Sequence, residues 1–267
     1  MLLKRILEER RRKWEEVNRG KKYKEPAVTD IDGWPELPDG WTWIISDYIF
    51  WFVTSGSRGW AKYYSESGPF FLRVGNLDHD SISLDLSNIQ RVQPPKGTEG
   101  IRTRIIAGDI LISITADVGM VALVPVGIEE SYINQHVSLA RPVSAINPHY
   151  LAWFLASRDG GQNQFIQLQR GATKKGLGLN DIRSIKIPLP PLAEQDRIVA
   201  EVERCLSVAD EMENTIEQSL KQAERLRQSI LRRAFEGKLV PHNPEDEPAE
   251  KLLERIRQEN KKIKKFN

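Results

Sequence analysis

The sequence has little of what catalytic and metal centres are built from. It holds one cysteine, Cys205, and four histidines, and none of these falls at a metal-ligand spacing with another. A glycine-rich phosphate loop and a nucleophile elbow are both missing. So is any apolar run of about 18 residues, which excludes a membrane-spanning helix. The N-terminus is densely charged from Lys4 onward, unlike a signal peptide, and a cytoplasmic protein is expected.

An excess of one charge is lacking too, with 39 Lys and Arg against 37 Asp and Glu for a net charge of +2. That balance hides a segregation. Residues 1–24 carry ten basic and four acidic side chains, whereas residues 25–187 carry fourteen basic and seventeen acidic. A slightly acidic globular part excludes a surface coated with positive charge, so any nucleic-acid contact there must use a local patch.

Proline and glycine are absent between Pro191 and Gly237, and that stretch organises the chain. Alternating steps of four and three residues join Ile198, Val202, Cys205, Ala209, Met212, Ile216, Ser219, Ala223, Leu226 and Ile230, with Leu206, Leu220 and Leu231 alongside. Only Ser219 interrupts this apolar heptad seam, which predicts a helix roughly 60 Å long that seeks a partner. Residues 194–217 contain eight acidic and two basic side chains, and residues 218–238 contain six basic and two acidic. Opposed halves of this kind favour an antiparallel copy or partner. Cys205 lies on the seam, where packing is expected of it and not redox chemistry.

The rest divides by composition. Residues 1–24 read as a charged helix ended by Gly20, residues 25–40 as a proline- and glycine-rich linker with an aromatic docking turn, and residues 41–192 as a globular domain. Residues 193–239 form the long helix, and residues 240–267 a spacer with a short helix. Short apolar or alternating runs fill the globular part, including 70–74, 81–86, 110–114, 120–124 and 136–140, with a helix over 148–157 and a strand over 182–187. The fold class is therefore α+β, a mixed, β-rich domain with one core, followed by a long helix in an antiparallel coiled coil. One echo links the two ends of the chain: residues 2–9 and 252–259 agree at five of eight positions. Such a match suggests one period of a longer repeat.

Three clusters suit binding. Residues 55–64 combine Arg58 and Lys62 with Trp60, Tyr63 and Tyr64; Arg58 has the fork to contact guanine and Lys62 the charge to meet a phosphate. The competing reading is a surface loop folded back on its own aromatics. Thr173, Lys174 and Lys175 stand among glycines in a loop suited to phosphate contacts. Asn134 and Gln135 have the groups to read adenine edges, or else form a strand-entry turn. Asn147-Pro148-His149-Tyr150 is one substitution from an adenine methyltransferase motif. It lacks the accompanying cofactor turn and is read as a helix N-cap followed by a first-turn proline.

The run Ile187-Pro188-Leu189-Pro190-Pro191-Leu192-Ala193-Glu194-Gln195-Asp196-Arg197-Ile198, followed by a heptad helix ending in Ala234-Phe235-Glu236-Gly237-Lys238-Leu239, resembles the conserved region of type I restriction-modification specificity (S) subunits. Gly108-Asp109-Ile110-Leu111, Asn134-Gln135-His136 and residues 171–177 are similar to motifs of that family's target recognition domain. The resemblance implies a non-catalytic subunit that reads a bipartite site in double-stranded DNA through this domain, in which Arg58, Lys62, Tyr63, Tyr64, Gln135, Thr173, Lys174 and Lys175 are the candidate contacts. It also implies docking of methyltransferase and restriction subunits, which would hold S-adenosylmethionine, ATP and magnesium, with no cofactor in this chain. Family members carry two recognition domains and two conserved regions, whereas this chain has one of each. It reads as a half-length subunit that pairs with itself or another half-subunit. A coiled-coil scaffold that binds protein and a self-contained DNA-modifying enzyme are the alternatives.

Overall fold

A computed structural model describes residues 2–27, 33–56, 58–94, 97–170 and 176–263, the side chains of residues 98, 99 and 263 excepted. The chain splits into two compact units, Met1–Glu203 and Arg204–Asn267. In chain order the first holds α1 (Leu2–Val17), β1 (Thr42–Ile45), α2 (Ser46–Ile49), β2 (Phe50–Ser55), β3 (Tyr64–Leu72), β4 (Gln90–Val92), α3 (Thr98–Thr103), β5 (Ile110–Ser113), β6 (Val121–Leu123), β7 (Ser131–Ile133) and β8 (Val137–Pro142). It continues through α4 (Pro148–Ala156), α5 (Asn163–Leu168), α6 (Leu179–Arg183) and β9 (Lys186–Leu189) to the start of α7 (Leu192–Phe235). The second unit holds the remainder of α7 and α8 (Ala249–Ile263).

This is the mixed, β-rich domain followed by a long helix that the composition predicts. The central sheet has the order β2-β8-β5-β6; β3 pairs antiparallel with β4 and parallel with β7, and β1 pairs antiparallel with β9. Strand residues point alternately to opposite faces. Accordingly Ile110 and Ile112 enter one apolar cluster with Ile44, Phe50, Leu151 and Ile187, while Leu111 enters another with Leu72, Ile133 and Leu139. Both faces of β5 are covered, which is why it reads as an unbroken apolar run.

Two expected strands differ. Residues 81–86 form no ladder: the Ser83 amide donates to Ser81 Oγ, and the Ser87 amide to an oxygen of Asp85, so short polar side chains take the backbone donors a strand would use. The strand expected over 182–187 begins later. Asp181 accepts the Gly178 amide at 2.8 Å and holds α6 through Arg183, and β9 starts only at Lys186. The helix expected over 148–157 is present as α4, with Asn147 accepting from the amides of His149 and Tyr150 and Pro148 in the first turn. Asn147-Pro148 is thus a cap.

Polar groups fasten the frame. Asp109 is fully buried, and Arg141 grips it from Nε at 2.6 Å and Nη2 at 2.7 Å, while the Ile106 amide donates to it at 2.8 Å. Burial pushes the Asp109 carboxyl up, and Arg141 and the Ile106 amide pull it back. Gln195, also fully buried, accepts the Asn147 amide at 3.0 Å and donates to the Pro190 carbonyl at 2.9 Å. The proline-rich junction therefore ends in an amide that staples the first turn of α7 to the cap of α4. In α1, Ile6 is buried in the main cluster, and Arg10 donates to both the carbonyl and the carboxylate of Asp47.

Arg141→Ala should lower stability by about 3–5 kcal/mol by leaving Asp109 buried and unpaired. Gln195→Ala should cost about 1–3 kcal/mol by orphaning two buried backbone groups. Urea unfolding midpoints at unchanged slope check both values.

Candidate nucleic-acid interface

The segment after β2 is positioned by a glycine. Gly56 is buried, and its amide donates to the Asn134 carbonyl at 3.2 Å. A Cβ built on it would stand 2.2 Å from the Ile133 oxygen and 2.3 Å from that of Asn134. Only a residue without a side chain allows this approach. Arg102 reinforces it, donating from Nη1 to the Ser55 carbonyl at 2.6 Å and to the Thr54 hydroxyl.

Gly59, at φ +79°, then turns the chain into a short 3-10 helix, Trp60–Tyr63. Trp60 is 2% exposed and stacks on Phe71 at 5.4 Å, with Tyr132 and Tyr63 against it. In this respect the loop does fold back on its own aromatics. The cations face outward: Arg58 and Lys62 are exposed, with the Lys62 ammonium 4.9 Å from the Tyr63 ring. Tyr63 is half-buried, and Tyr64 is exposed along one side while it packs on Phe71 at 5.7 Å. Under this platform the Tyr132 phenol donates to Glu130 at 2.5 Å, and burial together with that carboxylate pushes its pKa up to about 12.

Asn134-Gln135-His136 forms the second element. The Asn134 side chain is buried and accepts the His136 amide at 3.0 Å, so it shapes the turn instead of facing out. Gln135 and His136 are half-buried at the apex. Beside them Thr115 bridges to Gly176, and Arg170 and Gly176 exchange backbone hydrogen bonds that close the glycine-rich loop. Thr173, Lys174 and Lys175 lie outside the described residues. The ends of their loop are described, and they stand next to Thr115, which contacts His136.

The structure thus gathers Gly56, residues 58–64 and 134–136, Arg170 and Gly176 along one edge of the domain. Arg102, Thr115 and His136 belong to this edge as supports. Nothing in the pattern around Arg102 and Thr115 marks them, because their roles come from contacts 47 and 21 residues away in the chain. Among the described residues no group of three or more His, Cys, Asp and Glu could hold a metal ion, and no helix is long and apolar enough to cross a membrane.

In the first unit Val199 of α7 is buried and Ile198 and Val202 are half-buried. From Cys205 onward the seam residues Cys205, Ala209, Met212, Ile216, Ala223, Leu226 and Ile230 are all exposed. Met212 and Leu226 each reach 60%.

Comparison with known proteins places this architecture. Residues 85–222, just over half of the chain, match the type I restriction modification DNA specificity domain, and the chain belongs to that family. It is 29% identical to the EcoBI specificity subunit of Escherichia coli across 73% of this chain and 42% of the relative. To the EcoAI specificity subunit of Escherichia coli it is 27% identical across 99% of this chain and 51% of the relative. The crystal structure of an HsdS subunit from Thermoanaerobacter tengcongensis has the same fold, with a TM-score of 0.60 at 23% identity over 82% of this chain and 54% of that one. The chain spans about half the length of the curated relatives it matches.

Gly56→Ala should displace residues 58–64 and lower the unfolding midpoint, since a backbone oxygen at 2.2 Å cannot yield as a side chain does. Thermal unfolding and the fluorescence of Trp60 would register the change; unaltered values would show that the loop is not seated on Asn134.

Proposed function

We propose that this chain is a non-catalytic specificity subunit with one recognition domain, which recognises double-stranded DNA through the edge bearing residues 58–64 and 134–136. The observation that carries the reading is the convergence of these clusters, distant in sequence, on one edge of a domain of the specificity family. Exposed Arg58 has the planar fork for a guanine edge, Lys62 a point charge for a phosphate, and Gln135 a carboxamide for an adenine edge. Lys174 and Lys175 supply further phosphate contacts, with Thr173 beside them.

The exposed seam of α7 pairs with an antiparallel second copy or with another half-subunit, opposing its acidic and basic halves. Two recognition domains related by a two-fold axis then read two half-sites, and helix length sets the spacer between them. The similar segments 2–9 and 252–259 agree with one period of a repeat. Leu2, Leu3, Ile6 and Glu9, which anchor α1, recur as Leu252, Leu253, Ile256 and Glu259 in α8, where the three apolar residues are 49%, 52% and 44% exposed. Of the positions that differ, Lys4 and Glu8 are exposed in α1. What repeats is the docking face of the helix. Methyltransferase and restriction subunits dock on the helical region and bring S-adenosylmethionine, ATP and magnesium.

Arg58→Ala should weaken specific binding and relax one base pair by about 1–3 kcal/mol, measured by competition among duplexes; unchanged affinity and selectivity would sink the Arg58 assignment. Purified chain with labelled S-adenosylmethionine and DNA should transfer methyl groups only when the methyltransferase subunit is added. Transfer without it would establish an enzyme. Deleting one heptad of α7 should shift or abolish the preferred spacer, and an unaltered spacer would reduce the helix to a tether.

A further inference from the structure

At the apex of the 134–136 turn three polar side chains form a chain. Gln135 Nε2 lies 2.9 Å from His136 Nε2, and Thr115 Oγ1 lies 2.5 Å from His136 Nδ1. As the carboxamide lies, its nitrogen donates to His136 Nε2, which accepts in the tautomer protonated at Nδ1. A neutral imidazole carries one proton, which then sits on Nδ1 and is donated to the Thr115 hydroxyl oxygen. The backbone of His136 is held on both sides: its amide donates to Asn134 Oδ1 at 3.0 Å, and its carbonyl accepts the Ile114 amide at 2.9 Å. Thr115 is the residue after Ile114, and its bridge to Gly176 anchors it on the other flank.

We propose that Thr115 and His136 are positioning residues for specificity, which hold the Gln135 carboxamide where it meets a base edge. The inference rests on the reading of Gln135 as a base contact. With one N–H committed to His136, Gln135 keeps a second N–H and the Oε1 acceptor. That pair matches adenine, whose N7 accepts and whose N6 donates. Turning the amide over would exchange donor and acceptor in space and set Oε1 against N7, two acceptors face to face. Without His136 the carboxamide loses the partner that holds it, and adenine loses its advantage. His136 thereby acts on the base without touching it, and Thr115 acts by holding the imidazole at Nδ1.

Selection from a randomised duplex pool, using the full chain and its variants, tests the assignment. Gln135→Ala should relax preference at one base pair by about tenfold or more, the discrimination that one bidentate amide contact supplies. His136→Asn places an amide near Nδ1 and removes the acceptor facing Gln135; it should relax the same base pair. His136→Gln carries an acceptor out to the Nε2 position and should restore most of the preference. If Gln135→Ala alters no base pair, the base-contact reading itself fails. If Gln135→Ala relaxes one pair while His136→Asn leaves that pair intact, the positioning role is overturned and the base contact stands. A His136→Asn variant that weakens all duplexes equally, with preferences unchanged, would show a structural role only and would likewise overturn the proposal.

Discussion

Everything along the edge that carries Arg58, Lys62 and Gln135 depends on the passage of one backbone across another at Gly56. Its amide meets the Asn134 carbonyl where a single added carbon would fall 2.2 Å from a neighbouring oxygen. Two turns, one after β2 and one between β7 and β8, are thereby locked together, and each supplies side chains that the other lacks. The first turn brings cations on an aromatic base, and the second brings a carboxamide on a strapped apex. Because Trp60 is sunk against Phe71 and Tyr132, the cations beside it are carried on a packed element. Rigid support of this kind is what a base-reading side chain requires.

A sheet covered on both faces carries these turns. Alternate residues of β5 feed two separate apolar clusters, and the fully buried Asp109 is gripped twice by Arg141 at the head of that strand. Gln195 performs the corresponding task where α7 begins, holding the Asn147 amide and the buried Pro190 carbonyl. The signature glutamine of the proline-rich junction is a staple between α4 and α7. In the second unit the described residues of the apolar stripe of α7 are exposed. An exposed heptad stripe is one that another helix can cover.

The candidate site was partly visible in the chain. Arg58, Lys62 and Gln135 stand out by their chemical type and by their glycine-rich or turn-like settings, and all three sit on the same edge. Asn134 had two readings, base contact or strand-entry turn, and it takes the second, turned inward to accept the His136 amide, because an Asn at the start of a turn bonds its own backbone two residues on. Trp60 has the composition of a binding aromatic and serves as core. Arg102, Thr115 and His136 were not assigned roles, since each acts through a partner brought close only by the sheet. The shifted strand at β9 and the missing one over 81–86 have a shared cause: polar side chains captured backbone amides that apolar patterning alone assigns to a ladder.

By itself the sequence determined the class of the fold, the long helix with its apolar seam and divided charge, the N-cap at Asn147, and the family, because these are written in local spacing and in contiguous motifs. Periodicity and capping act within a few residues, so they survive in one dimension. Only the tertiary structure decided which polar residues face outward, which glycine must stay bare, and which side chains meet the ring of His136. Those outcomes depend on atoms from segments 20 to 80 residues apart meeting within hydrogen-bond distance, as Gly56 meets Asn134 and Thr115 meets His136. The pattern of the chain names the chemistry that is available, and the crossing of its strands selects which of it faces a partner.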